Sequence, residues 1–125
     1  MVTLQFFLVG LTAFLHLGFM FLEMFLWKTP KGQKIFRTEA DFAEKSAVLA
    51  ANQGLYNGFL CAGLVWSLCN TNPEFSFQLK IFFLTCVIVA GLYGAYTASK
   101  NILFLQALPA ILALFAVLAS GIHKF

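Results

Sequence analysis

An amide-rich segment interrupts an otherwise apolar run of this chain: Ala51-Asn52-Gln53-Gly54-Leu55-Tyr56-Asn57-Gly58. Three side-chain amides, one phenol and two glycines fall within it, and we call it the amide segment. Hydrocarbon offers no hydrogen-bond partners, so each polar group needs one in the protein, in a bound molecule or in trapped water. The segment therefore predicts an internal polar site in a membrane protein.

Composition supports a membrane location for the whole chain. Of its 125 residues, 61% are hydrophobic and 10% are charged, whereas a soluble domain carries about 25% charged residues. Such a chain cannot cover itself with polar surface, so we expect one integral membrane domain, residues 1–125, surrounded by membrane lipid. We expect no nucleic-acid partner. The odd cysteine count, without paired His/Cys spacing, predicts no metal site, and the sequence leaves the cofactor unknown.

Four apolar runs separated by polar segments predict the fold class. It is all-α, a four-transmembrane-helix bundle with antiparallel up-down neighbours and short loops. The expected helices cover about residues 2–27, 39–69, 73–99 and 102–122. Thr38 and Asp41 fit a capping box at the start of the second helix, and Asn72-Pro73 pairs an N-cap with a proline at the first helical position of the third.

Basic residues are concentrated on one side of this topology. The first and third loops hold six Lys and Arg residues, and the other side holds Lys80 and Lys124. By the positive-inside rule the basic loop 28–45 is cytoplasmic, and both termini are extracytoplasmic.

Polar side chains cluster in the expected cytoplasmic half of all four helices. The candidate catalytic residues are Glu23 and His16, and the candidate ligand-binding residues are Asn52, Gln53, Tyr56, Asn57, Tyr93 and Gln106. The opposite half is almost purely apolar. This asymmetry predicts a polar pocket that opens towards the cytoplasm or the inner leaflet and is closed at the other end.

Glu23 is the residue expected to carry chemistry, as a general acid/base or as a ligand anchor. A carboxylate within the membrane costs several kcal/mol unless it is paired, protonated or wet. His16 shares its helix face two turns away, where a water or a substrate could bridge the two side chains. The alternative, without a functional role, is that Glu23 is solvated at the interface or paired with Lys28 or Lys100.

The remaining polar and small residues could also serve helix packing and not ligand binding. His16 and the amides could be interhelical hydrogen-bonding groups, because such side chains join membrane helices. Gly54 and Gly58 lie four residues apart, a spacing that predicts close helix packing.

Several motifs resemble one known family. They are Phe19-Met20-Phe21-Leu22-Glu23-Met24-Phe25-Leu26-Trp27, Thr29-Pro30-Lys31-Gly32, Leu49 to Phe59 around the amide segment, Val89-Ala90-Gly91-Leu92-Tyr93-Gly94 and Gln106-Ala107-Leu108-Pro109-Ala110. They are similar to those of the small bacterial membrane proteins catalogued as domain of unknown function 1304, over nearly the whole chain. The resemblance implies a multi-pass, four-helix protein of the bacterial inner membrane, and it implies no activity.

Three classes of function stay open. The first is a protein that binds a small lipophilic molecule such as a quinone, an isoprenoid or an aromatic metabolite, as a monomer or homodimer; whether it is an enzyme stays open. The second is a homodimeric small-molecule transporter or exporter, which predicts polar residues reaching the outer face, where the sequence has few. The third is a structural subunit of a membrane complex, which predicts a polar face exposed on the isolated chain.

Overall fold

The structure, a computed structural model, describes residues 2–121 and confirms the all-helical class. Its elements are α1 (Val2–Phe25), α2 (Pro30–Phe36), α3 (Ala40–Cys69), α4 (Pro73–Thr97), a π-helical turn (Leu103–Ala107) and α5 (Leu108–Gly121). No strand occurs within the described range. The four expected helices correspond to α1, α3, α4 and the π-helical turn continued by α5.

Three helical segments are long and apolar enough to cross a membrane. They are Val2–Phe25, Pro73–Thr97 and Leu103–Gly121. At 30 residues, α3 has the length to span, because 1.5 Å per residue gives about 45 Å. The amide segment lowers its hydropathy, so a fourth span through α3 stays a prediction.

The basic segment between α1 and α3, which the sequence predicts to be a loop, contains the helix α2. Thr29 caps α2, because its hydroxyl accepts a hydrogen bond from the Gly32 amide at 3.1 Å, and Pro30 occupies the first helical position. The helix ends at Arg37, which adopts the left-handed conformation (φ 54°, ψ 47°). Thr29-Pro30 therefore starts a helix shortly after α1 ends.

The predicted capping box at Thr38 and Asp41 is wrong. The first backbone hydrogen bond of α3 runs from the Ala43 amide to the carbonyl of Glu39, which makes Glu39 the N-cap. The Thr38 hydroxyl lies one residue too early, and it is buried without a hydrogen-bond partner among the described residues. The predicted start near Glu39 nevertheless holds.

The described chain forms two compact units. The loop unit comprises His16–Phe59, and the core unit comprises residues 2–15 and 60–121. Buried apolar side chains of the core unit make one cluster: Val9, Ala13, Leu64, Leu84, Val87, Ala110, Ala113 and Val117. Three of them are alanines, which let helix backbones approach closely, and close packing stabilises membrane helices where lipid tails are as apolar as leucine.

The π-helical turn in front of α5 has a proline as its cause. Pro109 has no backbone N–H, and in a regular α-helix its ring would clash with the carbonyl of Leu105. The chain widens here instead, so that the Leu108 amide donates to the carbonyl of Leu103, five residues back. A Cβ on Gly91 of α4 would lie 2.9 Å from the backbone nitrogen of Ala107, so the widened turn packs directly against α4.

The predicted N-cap of α4 is confirmed, and it supplies a test. The Asn72 side chain accepts a hydrogen bond from the Phe75 amide at 3.0 Å. We expect Asn72→Ala to lower the free energy of unfolding by about 1 kcal/mol, because one helix-terminal donor loses its partner. Unfolding in mixed micelles with increasing SDS, followed by circular dichroism, measures the change. Asn72→Ser retains a capping oxygen and should stay close to the wild type; equal losses in both variants would contradict the capping role.

Candidate functional site

A buried carboxyl–amide pair is the centre of the candidate site. The Asn57 side-chain amide donates a hydrogen bond to Oε1 of Glu23 at 2.7 Å, across 34 residues of sequence. Glu23 is 5% exposed and Asn57 is 9% exposed. Both side chains lie in the loop unit, Glu23 on α1 and Asn57 on α3. The sequence marked both residues, and the structure joins them.

Two glycines of the amide segment bring α3 against α1 at this point. A Cβ on Gly54 would lie 2.9 Å from Cγ of Met24 and 3.0 Å from the backbone oxygen of Met20. A Cβ on Gly58 would lie 2.7 Å from Sδ of Met20. A side chain at Gly54 would push the helices apart, whereas at Gly58 the flexible end of Met20 could move aside. The close packing that the glycine spacing predicted is therefore confirmed at Gly54 within the loop unit.

Glu23 forms no ion pair with the neighbouring Lys28. Lys28 pairs with Glu44 instead, at 3.6 Å and with both side chains largely exposed. Another ion pair joins Lys45 to Asp41, and neither of these pairs includes Glu23. Glu23 is also only 5% exposed, so pairing with Lys28 and solvation at the interface are not supported. Pairing with Lys100 stays a prediction.

Gln53 connects the pair to the surface of the unit. Its side chain lies near the Glu23 carboxyl, one turn before Asn57 on α3, yet the residue is exposed. The carboxyl therefore lies one side chain below an accessible face of α3. A molecule that displaces or rearranges Gln53 would reach Glu23 and Asn57 directly.

The other candidates of the amide segment face outwards. Asn52 is exposed, and its amide donates to the carbonyl of Val48 on the same helix at 2.8 Å. Tyr56 is 63% exposed, with its ring 5.9 Å from that of Phe59. These residues could contact a ligand at the surface of the helix, and their ligand-binding role stays a prediction.

His16 lies in the loop unit and is fully buried. Its ring meets the edge of Phe19 with centroids 5.4 Å apart. Seven residues separate it from Glu23, which corresponds to about 10 Å along a helix. A direct bond between the two side chains is excluded by that separation, and a bridging water or substrate stays a prediction.

Tyr93 and Gln106 belong to the core unit. Tyr93 is 70% exposed on α4, and Gln106 is half-buried in the π-helical turn. The structure thus brings Glu23, Gln53 and Asn57 together, and the participation of Tyr93 and Gln106 in the same site stays a prediction. No cluster of three or more His, Cys, Asp or Glu residues that could hold a metal occurs within residues 2–121.

The structure gives two polar residues, Trp27 and Lys80, environments that the sequence does not predict. Within the loop unit, the Trp27 indole donates to the hydroxyl of Ser46 at 3.0 Å. Within the core unit, Lys80 is 5% exposed, although it was counted as a flanking charge. The position of Lys80 inside a helix could have been predicted from the sequence, because the Asn72 cap starts α4 two turns before it.

The chain is similar to known proteins over most of its length. The family model described as Protein of unknown function (DUF1304) matches residues 10–118. The chain is 33% identical over 97 residues, which are 76% of this chain and 80% of the other, to the uncharacterized protein YpaA of Lactococcus lactis subsp. lactis (strain IL1403). No solved structure matches significantly.

Proposed function

The chain belongs to the family described as Protein of unknown function (DUF1304), as its motifs indicated, and we propose that it is an integral membrane protein that binds a small lipophilic molecule. The buried Glu23–Asn57 pair is the polar anchor of that ligand. The observation that supports this role is a carboxyl that is 5% exposed, is held by a neutral amide at 2.7 Å and takes no part in the ion pairs of Lys28 with Glu44 and of Lys45 with Asp41. Buried ionisable groups in membrane segments are expensive and are commonly functional.

The surroundings of the pair suit a ligand with an apolar body and a polar head. Met20 and Met24 line the contact between α1 and α3, and methionine adapts to irregular apolar shapes. Gln53 supplies a second amide at the exposed side. A carbonyl or hydroxyl group could be bound by Asn57 and Glu23 together, and in an enzyme Glu23 would be the group that moves a proton.

The membrane arrangement belongs to the same proposal. Four helices, including α3, span the bacterial inner membrane as a bundle. The basic segment 28–45 lies in the cytoplasm, and both termini lie outside. Lys28, Lys31, Lys34, Arg37 and Lys45 support this orientation through the positive-inside rule.

A subunit role in a membrane complex is the second candidate, and one observation favours it. Asn52, Gln53 and Tyr56 are exposed on the same helix. Polar side chains on a membrane-facing helix favour association, because another chain can offer the hydrogen-bond partners that lipid lacks. The partner would be a second copy or a different subunit. The exposed amides do not distinguish these cases, and transport by such a dimer stays a prediction.

The test is native mass spectrometry of the protein purified in mild detergent, with identification of whatever co-purifies. We expect a small lipophilic molecule at about one copy per chain in the wild type. Glu23→Gln should reduce its occupancy at least about tenfold, since hydrogen bonds to charged groups contribute about 1.5–3 kcal/mol and 1.4 kcal/mol is a factor of ten.

The matched control is Glu44→Gln, which makes the same chemical change at an exposed carboxylate. It should retain the ligand. Full occupancy in Glu23→Gln would remove Glu23 from the site. An empty wild-type protein that runs as a dimer or with a second protein would favour the subunit role instead.

A further inference from the structure

Three exposed cations lie on α2 and at its C-terminal end. Lys31 and Lys34 belong to the helix, and Arg37 is its C-cap. All three side chains are exposed, and within residues 2–121 no acidic side chain forms an ion pair with them. We call Lys31, Lys34 and Arg37 the basic face. Their charges are therefore available to a partner outside the chain.

Acidic residues of the same segment do not cancel the charge of the basic face. The segment 28–45 contains three of them, Glu39, Asp41 and Glu44. Asp41 pairs with Lys45 at 2.9 Å and Glu44 pairs with Lys28 at 3.6 Å, so these two carboxylates are balanced by lysines outside the basic face. The three cations exceed the one remaining carboxylate, Glu39, and the net charge beside α2 stays positive.

The other side of α2 is packed within the loop unit. A Cβ on Gly32 would overlap the backbone oxygen of Leu26, just after the end of α1, and the ring centre of Phe36 lies 4.7 Å from that of Trp27. On a helix Gly32 and Phe36 share one side, whereas the two lysines share another with Ile35. Packing therefore fixes α2 with these two lysines on its open side.

α2 follows directly after a helix that can span a membrane. α1 is long and apolar enough to cross it and ends at Phe25, and α2 begins five residues later at Pro30. With α1 in the membrane, the close contact at Gly32 places α2 at the level of the lipid headgroups. Ile35 is 48% exposed next to the lysines, and apolar side chains flanked by cations are typical of helices that lie at a membrane interface.

We propose that the basic face binds the headgroups of anionic phospholipids in the leaflet next to α2. Clusters of Lys and Arg that directly follow a membrane helix are attracted to anionic leaflets, and both side chains form charge-assisted hydrogen bonds with phosphate oxygens. The positive-inside rule concerns how a chain is inserted, whereas this contact is a property of the folded loop unit. It is independent of the ligand proposed at Glu23, which is buried.

The experiment measures which lipid lies beside α2 in the full-length protein. Trp66→Phe leaves Trp27, which packs against α2, as the one tryptophan of the chain. This parent protein is reconstituted in vesicles of equal parts phosphatidylglycerol and phosphatidylcholine, and one lipid at a time carries bromine atoms that quench tryptophan fluorescence on contact. We expect phosphatidylglycerol to be favoured beside Trp27 at least about fivefold, the factor that one cation near an anionic surface supplies.

Three substitutions together, Lys31→Gln, Lys34→Gln and Arg37→Gln, remove the basic face from this parent protein. The preference should fall to within about twofold of unity. The matched control joins Lys45→Gln to Asp41→Asn, which removes a cation of the same segment together with its partner. It leaves the net charge and the basic face unchanged, so it should keep the preference.

A salt titration of the parent protein decides the case if the triple variant does not fold. Exposed charges are screened within about 3 Å at 1 M ionic strength, so the preference should disappear there, and a preference that 1 M salt leaves unchanged would overturn the proposal. Three further results would also overturn it: a parent protein without preference, a triple variant that keeps the preference, and a control that loses as much of it as the triple variant does.

Discussion

Asn57→Leu will destabilise the protein by about 2 kcal/mol, although leucine has the same number and branching of side-chain heavy atoms as asparagine and is more apolar. The Asn57 amide is the neutral donor that holds the Glu23 carboxyl at 2.7 Å, and Glu23 is buried. Without that donor the carboxyl loses a hydrogen bond while it stays away from water. Loss of a hydrogen bond to a charged group costs about 1.5–3 kcal/mol. The shift of the unfolding midpoint in SDS mixed micelles, with its slope, measures the change.

The double variant Glu23→Leu with Asn57→Leu is the control for this prediction. Replacing both partners by apolar side chains of similar shape leaves no unsatisfied group, and such replacements are often close to neutral. We expect the double variant to recover to within about 1 kcal/mol of the wild type, and Glu23→Leu alone to be destabilised because the Asn57 amide loses its acceptor. Additive losses in the double variant would show that the two side chains do not act as a pair.

The Glu23–Asn57 pair also shows where inference from the sequence ends. The cost of polar groups in hydrocarbon was enough to mark both residues as site candidates. Their direct contact depends on how α1 and α3 pack within the loop unit, which Gly54 and Gly58 permit. Sequence periodicity gives the face of a helix but not the register of one helix against another.

Asn52 illustrates a competing local interaction. The sequence grouped it with the other amides as a ligand-binding residue. In the structure its amide bonds the carbonyl of Val48 one turn back, a choice open to asparagine on any helix. A single polar side chain on a helix can therefore form its hydrogen bond within the same helix, as Asn52 does. Only some amides of the segment form a hydrogen bond to another helix, as Asn57 does.

Helix boundaries were predictable where a side chain caps the backbone. Asn72-Pro73 placed the start of α4 correctly, because both residues have strong positional preferences at helix N-termini. The same boundary places Lys80 two turns inside α4, although its charge suggested a position that flanks the membrane span. At Thr38 the pattern matched a capping box, yet Glu39 became the N-cap, since short patterns do not fix a cap to the residue.

Gly32→Ala will have the largest effect of any glycine substitution in the loop unit. A Cβ at Gly32 would overlap the backbone oxygen of Leu26, and it would lie 2.8 Å from the Leu26 carbonyl carbon and 3.0 Å from the oxygen of Trp27. These atoms are all backbone, so no side-chain rotation relieves the overlap. We expect a loss of about 3 kcal/mol in the free energy of unfolding, at the upper end of the range for overpacking.

Gly18→Ala is the matched control for this substitution. Gly18 lies in α1, and a Cβ added there would meet no atom within 4 Å, while alanine is the better helix former by about 1 kcal/mol. We expect this variant to be as stable as the wild type or slightly more stable in the same SDS titration. Equal stability of Gly32→Ala and Gly18→Ala would mean that α2 does not pack against the end of α1. The Thr29 cap and the close approach at Gly32 would then not fix the path of the basic segment.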